Sequence, residues 1–140
     1  MSWLKFERST GQIDLFEGEP PQPGGDLYGP ALGSWPAHNE TTATSNGAWP
    51  AGTYPWSHYN AHPEAGLAPG CHATAYGCYG IHVFSVPNRP GLGIHAGRTK
   101  GEPGVLGGKT LGCLRLPIDA MMKINDRHNA DPLRSIVVRE

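Results

Sequence analysis

The sequence has no long apolar run, no cluster of basic residues and only three cysteines among its 140 residues. A membrane-spanning helix needs ~20 consecutive apolar residues, so insertion into a membrane is not expected. The opening MSWLKFERST lacks the apolar stretch of a conventional signal peptide. The 11 basic and 12 acidic residues give a net charge of −1. Without a basic patch, nucleic acid is not an expected partner.

Glycine and proline are abundant, with 20 and 14 residues, and disorder therefore has to be considered. Against disorder stand 4 tryptophans, 5 tyrosines and 3 phenylalanines, together with several short apolar segments separated by turn signals. The length suits one domain covering residues 1–140. We predict a mainly β fold with one or two short helices and long loops rich in glycine and proline.

The clearest local pattern is an N-terminal hairpin. Trp3–Arg8 alternates, STGQ forms a turn, and Ile13–Glu17 returns as a second strand. Trp49–Trp56 is interpreted as a turn entering an edge-type strand, because its prolines cannot donate hydrogen bonds to a neighbour. Its aromatic side chains either line a groove or, as we favour, cover the core. The other expected elements are strands at Tyr79–Val86 and Ser135–Arg139 and a helix from about Pro117 to His128.

The stretch Leu92–Pro117 holds one histidine, His95, and one cysteine, Cys113. If LGCLRL is a strand, its alternation puts Cys113 and Arg115 on one face and Leu114 on the other, core-facing side. The same alternation turns His95 away from the core. A thiol beside a guanidinium on a non-core face favours a nucleophile over a core residue.

A cysteine attacks as the thiolate, which a neighbouring base or positive charge promotes. His95 is the candidate base and Arg115 the fixed positive charge. Backbone N–H groups of Gly112 and Cys113 are candidates for holding an oxyanion, and Gly112 has no side chain to block a substrate. The alternative is that Cys113 is a buried small apolar residue and His95 a structural hairpin residue.

The spacing of these residues resembles the active-site signature of the L,D-transpeptidase catalytic-domain family, which remodels bacterial peptidoglycan. That signature is a histidine, fourteen to seventeen residues, Ser/Thr-His-Gly-Cys, an aliphatic residue and often arginine. Here fourteen residues separate His95 from TLGCLR, residues 110–115. Leu111 departs from the signature, because the family usually has a second histidine there.

The resemblance implies an L,D-transpeptidase-like β-sandwich or sheet and a cysteine acyl-transfer enzyme that needs no metal or organic cofactor. Its expected substrate is a peptidoglycan stem tetrapeptide, and its expected activity is that of an L,D-carboxypeptidase, an L,D-transpeptidase or a D-amino-acid exchange enzyme. In the family, the backbone carbonyl after the catalytic histidine orients it, which implies that role for Ala96. Thr110, His82 and Arg98 are candidate substrate-binding residues, although we favour a hydrogen-bonded structural role for His82 and a solvated loop position for Arg98.

The segments WLKFERSTGQIDLFEG and NGAWPAGTY are similar to the small L,D-transpeptidase-like effectors of type VI secretion. This narrower resemblance implies secretion without a conventional signal peptide and action in the periplasm of a target cell. It also implies two kinds of protein partner, the secretion machinery and a cognate immunity protein.

The remaining cysteines allow two interpretations. Cys71 and Cys78 form a disulfide, or they bind zinc together with His72 and His82. The cysteine spacing lacks the close pairs of zinc knuckles, so we favour the disulfide, which leaves Cys113 as the thiol. A disulfide suits an oxidising compartment such as the periplasm.

Two functions of other classes remain open. One is a non-catalytic domain that binds the cell wall, which the departure at Leu111 keeps possible. The other is a structural protein of a phage or of a secretion apparatus.

Overall fold

A computed structural model describes residues 1–22, 28–41, 47–61, 77–97 and 112–140. These residues form eight strands and one helix. In chain order the elements are β1 Ser2–Glu7, β2 Gln12–Glu17, β3 Gly33–Pro36, β4 Gly52–Asn60, β5 Ile81–Phe84, β6 Gly93–His95, β7 Leu114–Arg115, α1 Ile118–Ala130 and β8 Leu133–Arg139. The prediction of a mainly β fold with a short helix is confirmed.

The N-terminal hairpin forms as the alternation predicts. β1 and β2 pair antiparallel from Ser2–Glu17 to Glu7–Gln12, and Gly11 adopts a left-handed φ of 62° in the turn. Leu4 and Phe6 face the main core, whereas Trp3 packs on the outer face of the sheet. A short third strand, β3, adds to β2 and was not predicted from the sequence.

The strands form one sheet in the order β3-β2-β1-β8-β4-β5-β6-β7. The C-terminal strand β8 lies at its centre, parallel to β1 and antiparallel to β4. Ile136 and Val138 of β8 are buried in the main core. The last strand of the chain therefore joins the N-terminal hairpin to the half of the sheet that carries β6 and β7.

The prediction that β4 is an edge strand is wrong. β4 lies inside the sheet because it changes partner along its length: residues 52–55 pair with β8, and residues 56–60 pair with β5. Pro55 sits at this change of partner, and its carbonyl accepts a hydrogen bond of 2.8 Å from Ser85. The missing proline N–H is thus tolerated in an interior strand. Trp49 is fully buried in the core, as the structural interpretation of the aromatic residues requires.

The strand predicted at residues 79–86 is present but shorter. Tyr79 and Gly80 have φ values of 71° and 70°, so β5 cannot begin before Ile81. The helix begins directly after Pro117, a favourable position for a residue without an N–H. Ala120, Met121 and Ile124 of α1 pack into the same core as the sheet. Within the described ranges, no helix has the length and apolar character required to cross a membrane.

The sheet curls until its two edge regions meet. His38, two residues after β3, forms an isolated antiparallel bridge with Arg115 of β7. The backbone N–H of His38 donates to the carbonyl of Arg115 at 3.2 Å, and the N–H of Arg115 donates to the carbonyl of His38 at 3.0 Å. β7 is therefore held on both sides, by β6 and by the segment that follows β3.

Candidate active site

The parallel pairing of β6 with β7 brings the candidate residues to one edge of the sheet. Ile94 pairs with Leu114 and His95 with Arg115. Ile94 and Leu114 are fully buried in the core, so His95 and Arg115 face away from it. Cys113 lies two residues before Arg115, directly before β7, and its partly buried side chain packs against the edge of the core.

Cys113 is a reduced thiol of intermediate burial. Its Sγ lies 3.7 Å from the carbonyl oxygen of Gly91 and accepts a hydrogen bond from the backbone N–H of Gly93. Burial raises the pKa of the thiol above its ordinary value, because the thiolate is costly to desolvate. The Gly93 N–H and the positive charges of Arg115 and Arg89 oppose this rise in the pKa. The resting form at neutral pH is therefore the thiol, which needs a base to become a nucleophile.

Arg89 is a residue of this site that sequence reasoning missed. It lies in the loop between β5 and β6. Its guanidinium donates to the carbonyl oxygens of Gly47 at 2.8 Å and Ala48 at 3.5 Å. Its charge also favours the thiolate of Cys113. Only the fold brings these segments together, so no local signal in the sequence marks Arg89.

Gly112 has to be a glycine for two reasons. Its φ of 139° is a conformation that side chains disfavour. A Cβ atom here would also collide with the Arg89 guanidinium and would lie 2.9 Å from Leu92 Cδ2. The glycine of the predicted motif thus lets Arg89 lie directly over the backbone that precedes the thiol.

Arg115 is packed in a similar way. A Cβ atom on Gly97, whose φ is 74°, would collide with the Arg115 guanidinium. The guanidinium therefore lies against the backbone that follows β6.

His95 is buried, at 5% exposure, and its carbonyl accepts a hydrogen bond of 3.1 Å from the backbone N–H of Leu116. Ala96 is fully buried, and its carbonyl's role in orienting His95 stays a prediction.

Several predicted residues lie outside the described part of the chain. They are Thr110, Arg98, Leu111, Cys71 and His72. Cys78 is disulfide-bonded, which removes its thiolate from any zinc site. Its pairing with Cys71 stays a prediction. Among the described residues, no group of three histidine, cysteine or acidic side chains is arranged to hold a metal ion.

His82 lies on the core-facing side of β5. It pairs with Ile94, which faces the core, and it is fully buried. Its Nδ1 accepts a hydrogen bond of 3.2 Å from Trp56, and its Nε2 lies 2.6 Å from Asn125 Oδ1. Burial is the main cause that lowers the pKa of His82 to about 4; the hydrogen bond to Asn125 opposes this lowering, and the nearby His128 adds to it. These hydrogen bonds and this burial fit the structural role considered for His82. They give no support to a role in binding substrate beside Cys113.

A cavity of about 420 Å³ lies next to this network, at the C-terminal half of α1. Its described lining includes His82 and Asn125 but neither His95 nor Cys113. The cavity is therefore separate from the cysteine site.

Solved structures with the same fold include two L,D-transpeptidases. The enzyme named Yku from Stackebrandtia nassauensis superposes with a TM-score of 0.57 at 12% identity, over 99% of this chain and 55% of that one. L,D-transpeptidase 1 of Mycobacterium tuberculosis gives a TM-score of 0.51 at 13% identity, over 99% and 61%. Bd1075 of Bdellovibrio bacteriovorus gives 0.59 at 19% identity, over 97% and 46%.

These similarities show an L,D-transpeptidase-like fold, with one helix and a curled sheet of eight strands. The chain spans about half to three-fifths of the length of the structures that it matches. No family model matches the sequence, and no curated protein matches it either.

The neutral, buried His82 makes stability depend on pH. Its pKa is about 4 in the folded protein, against an ordinary 6.5. Between these values the unfolded chain binds a proton that the folded protein does not, so stability falls as the pH falls. We expect the free energy of unfolding to drop by about 3 kcal/mol between pH 6.5 and pH 4 through His82. Urea unfolding across this range measures the drop.

The His82→Gln variant should lose much of this pH dependence, because glutamine can accept from Trp56 and donate to Asn125 without titrating. His58→Gln is the matched control, since His58 is an exposed residue of β4. His128, whose pKa burial also lowers, should keep a residual slope in both variants. An unchanged slope in His82→Gln would contradict this account.

Arg89→Met should raise the pKa of Cys113 further, because it removes a positive charge that favours the thiolate. Alkylation of Cys113 by iodoacetamide at pH 7 should then slow several-fold. The rate is measured against pH from the mass of the Cys113 peptide. Arg134→Met is the control, since Arg134 is exposed on β8. Equal or faster alkylation in Arg89→Met than in wild type would show that Arg89 does not act on the thiol.

Proposed function

We propose that this protein is a cysteine acyl-transfer enzyme that acts on peptidoglycan stem tetrapeptides. The observation that supports the proposal is the β6–β7 pairing, in which His95 lies opposite Arg115, two residues after Cys113. The L,D-transpeptidase-like fold makes a peptidoglycan-related substrate the natural choice. The identity of the peptide comes from the resemblance of the residue 95–115 motif to that family.

The first half of the reaction forms a thioester. His95 accepts the thiol proton of Cys113, and the sulfur attacks the carbonyl carbon of meso-diaminopimelate in the tetrapeptide. Backbone N–H groups at Gly112 and Cys113 stabilise the tetrahedral oxyanion. The C–N bond to the terminal D-alanine then breaks, and His95 returns the proton to the departing amine.

The second half transfers the acyl group to an acceptor. Water gives L,D-carboxypeptidase activity, a free D-amino acid gives exchange, and the amine of a neighbouring stem gives a cross-link. In each case His95 removes a proton from the acceptor and returns it to the sulfur as the thioester breaks. The residues involved are the same for all three, so the acceptor determines the product.

The electrostatics of the thiol fit this sequence of steps. A thiol whose pKa is raised by burial stays protonated until a base acts on it, so His95 has a defined task. Arg89 and Arg115 then stabilise the charge that develops on sulfur. Arg115 is also suited to pairing with a carboxylate of the stem peptide.

We further propose that the domain is an effector that acts in the periplasm of a target cell. The N-terminal hairpin and the NGAWPAGTY segment, which are similar to type VI secretion effectors, support this role. Under it, a secretion machine delivers the protein and an immunity protein protects the producing cell.

Turnover of purified muropeptides tests the enzymatic proposal. Wild type should release D-alanine from tetrapeptides, or exchange it, with a change in mass seen by liquid chromatography and mass spectrometry. Cys113→Ala and His95→Ala should lower the rate by about a thousandfold or more, because each removes one partner of a unit. His58→Ala is the matched histidine control and should keep the wild-type rate.

The outcome also separates the alternatives. Binding of wild type to peptidoglycan without any change in muropeptide mass would favour the non-catalytic cell-wall-binding domain. Turnover that persists in Cys113→Ala would contradict the proposed nucleophile.

A further inference from the structure

Asn39 is a buried amide beside the candidate nucleophile. It follows His38, whose backbone pairs with Arg115 of β7, and its side chain is 8% exposed. Nothing in the local sequence marks it, because it contacts residues that are 73 and 74 positions away. The fold alone brings it to the turn that carries the thiol.

The amide of Asn39 joins two segments of backbone. Its Nδ2 donates to the carbonyl oxygens of Gly112 at 2.7 Å and Cys113 at 3.1 Å. Its Oδ1 accepts from the backbone N–H of Trp49 at 2.7 Å and from the Arg8 guanidinium at 3.4 Å. A flipped amide would place its oxygen against two carbonyls and its NH₂ group against two donors. The hydrogen-bond chemistry therefore fixes the orientation of the side chain.

Arg8 holds this amide in place from the other side. Its guanidinium donates to the backbone carbonyl of Trp49 and, at 2.7 Å, to Glu140. Arg8 directly follows β1, which belongs to the rigid hairpin of the sheet. The support of Asn39 thus comes from the scaffold and not from the loop that carries Cys113.

The bond to the Gly112 carbonyl has a consequence for catalysis. A trans peptide unit is planar, and its C=O and N–H groups point in opposite directions. The Gly112 carbonyl shares its peptide plane with the N–H of Cys113. By fixing this carbonyl, Asn39 aims the Cys113 N–H, which is the candidate oxyanion donor. The bond to the Cys113 carbonyl fixes the next plane, so both peptide units that flank the sulfur-bearing residue are held.

We propose that Asn39 is a positioning residue, which holds the Gly112–Cys113 backbone so that the Cys113 N–H and Sγ are correctly placed for acyl transfer. The inference rests on the proposed function for its catalytic consequence. The restraint of the thiol is independent of the proposed function, because it is a property of the folded protein and can be measured without substrate.

The experiment compares two asparagines whose side-chain amides each donate to a backbone carbonyl. Asn39→Leu removes both N–H donors and keeps the branched shape of the side chain, and Asn39→Ser provides a smaller second variant that introduces no extra bulk. Asn125→Leu and Asn125→Ser are the matched controls, because Asn125 Nδ2 donates at 3.0 Å to the carbonyl of Tyr79 on the other face of the sheet. Thermal unfolding of each variant is measured first, and all comparisons are made at a temperature at which every variant is folded.

Two quantities are then measured, the alkylation rate of Cys113 with iodoacetamide across pH and the kcat and KM for muropeptide turnover. Loss of Asn39 should release the half-buried thiol and raise its alkylation rate about threefold or more at pH 7. It should also lower kcat about tenfold or more with little change in KM, since a displaced oxyanion donor acts in the transition state. The Asn125 variants should match wild type in both quantities.

The two readouts separate failure of this inference from failure of the proposed function. Unchanged alkylation of Cys113 in the Asn39 variants would overturn the positioning role, whatever the turnover. Faster alkylation with an unchanged kcat would overturn it as well. If wild type turns over no muropeptide, the enzymatic proposal fails, and faster alkylation in the Asn39 variants alone still supports the restraint of the thiol.

Discussion

The parallel pairing of β6 with β7 determines where the candidate chemistry lies. Two parallel strands need a long connection, a dozen residues or more, because the chain must return to the same end of the sheet. Eighteen residues separate His95 at the end of β6 from Leu114 at the start of β7. The long gap between histidine and cysteine in the motif is therefore a geometric requirement of the sheet, and the same pairing sets His95 opposite Arg115.

Burial gives this site its electrostatic character. The fold desolvates Cys113 and raises the pKa of its thiol, while Arg89, Arg115 and the Gly93 N–H oppose this effect. Such a thiol is unreactive until a base removes its proton, which limits its oxidation and other side reactions. The backbone around the sulfur is held by hydrogen bonds from a buried amide on the opposite edge of the sheet. The site is thus a product of sheet closure, since the Arg115 bridge to His38 brings that amide into place.

The sequence predicts the local parts of this structure well. Alternation identifies the hairpin of β1 and β2 and the inward position of Leu114, and the helix follows from Pro117 and its apolar spacing. The errors concern long-range partners. β4 was placed at an edge because of its prolines, yet Pro55 lies where the strand changes neighbour. Arg89 and Asn39 carry no local signature, since their contacts with the thiol segment depend on how the whole sheet curls.

Trapping the acyl-enzyme is the most direct test that Cys113 is the nucleophile. Wild type is mixed with a tetrapeptide muropeptide, quenched in acid within the first turnover and digested for mass spectrometry. The account predicts that the Cys113 peptide gains the mass of the muropeptide less that of the released D-alanine, and that hydroxylamine removes this mass, as expected for a thioester. Alanine release with an unmodified Cys113, or with the acyl group on another residue, would contradict it.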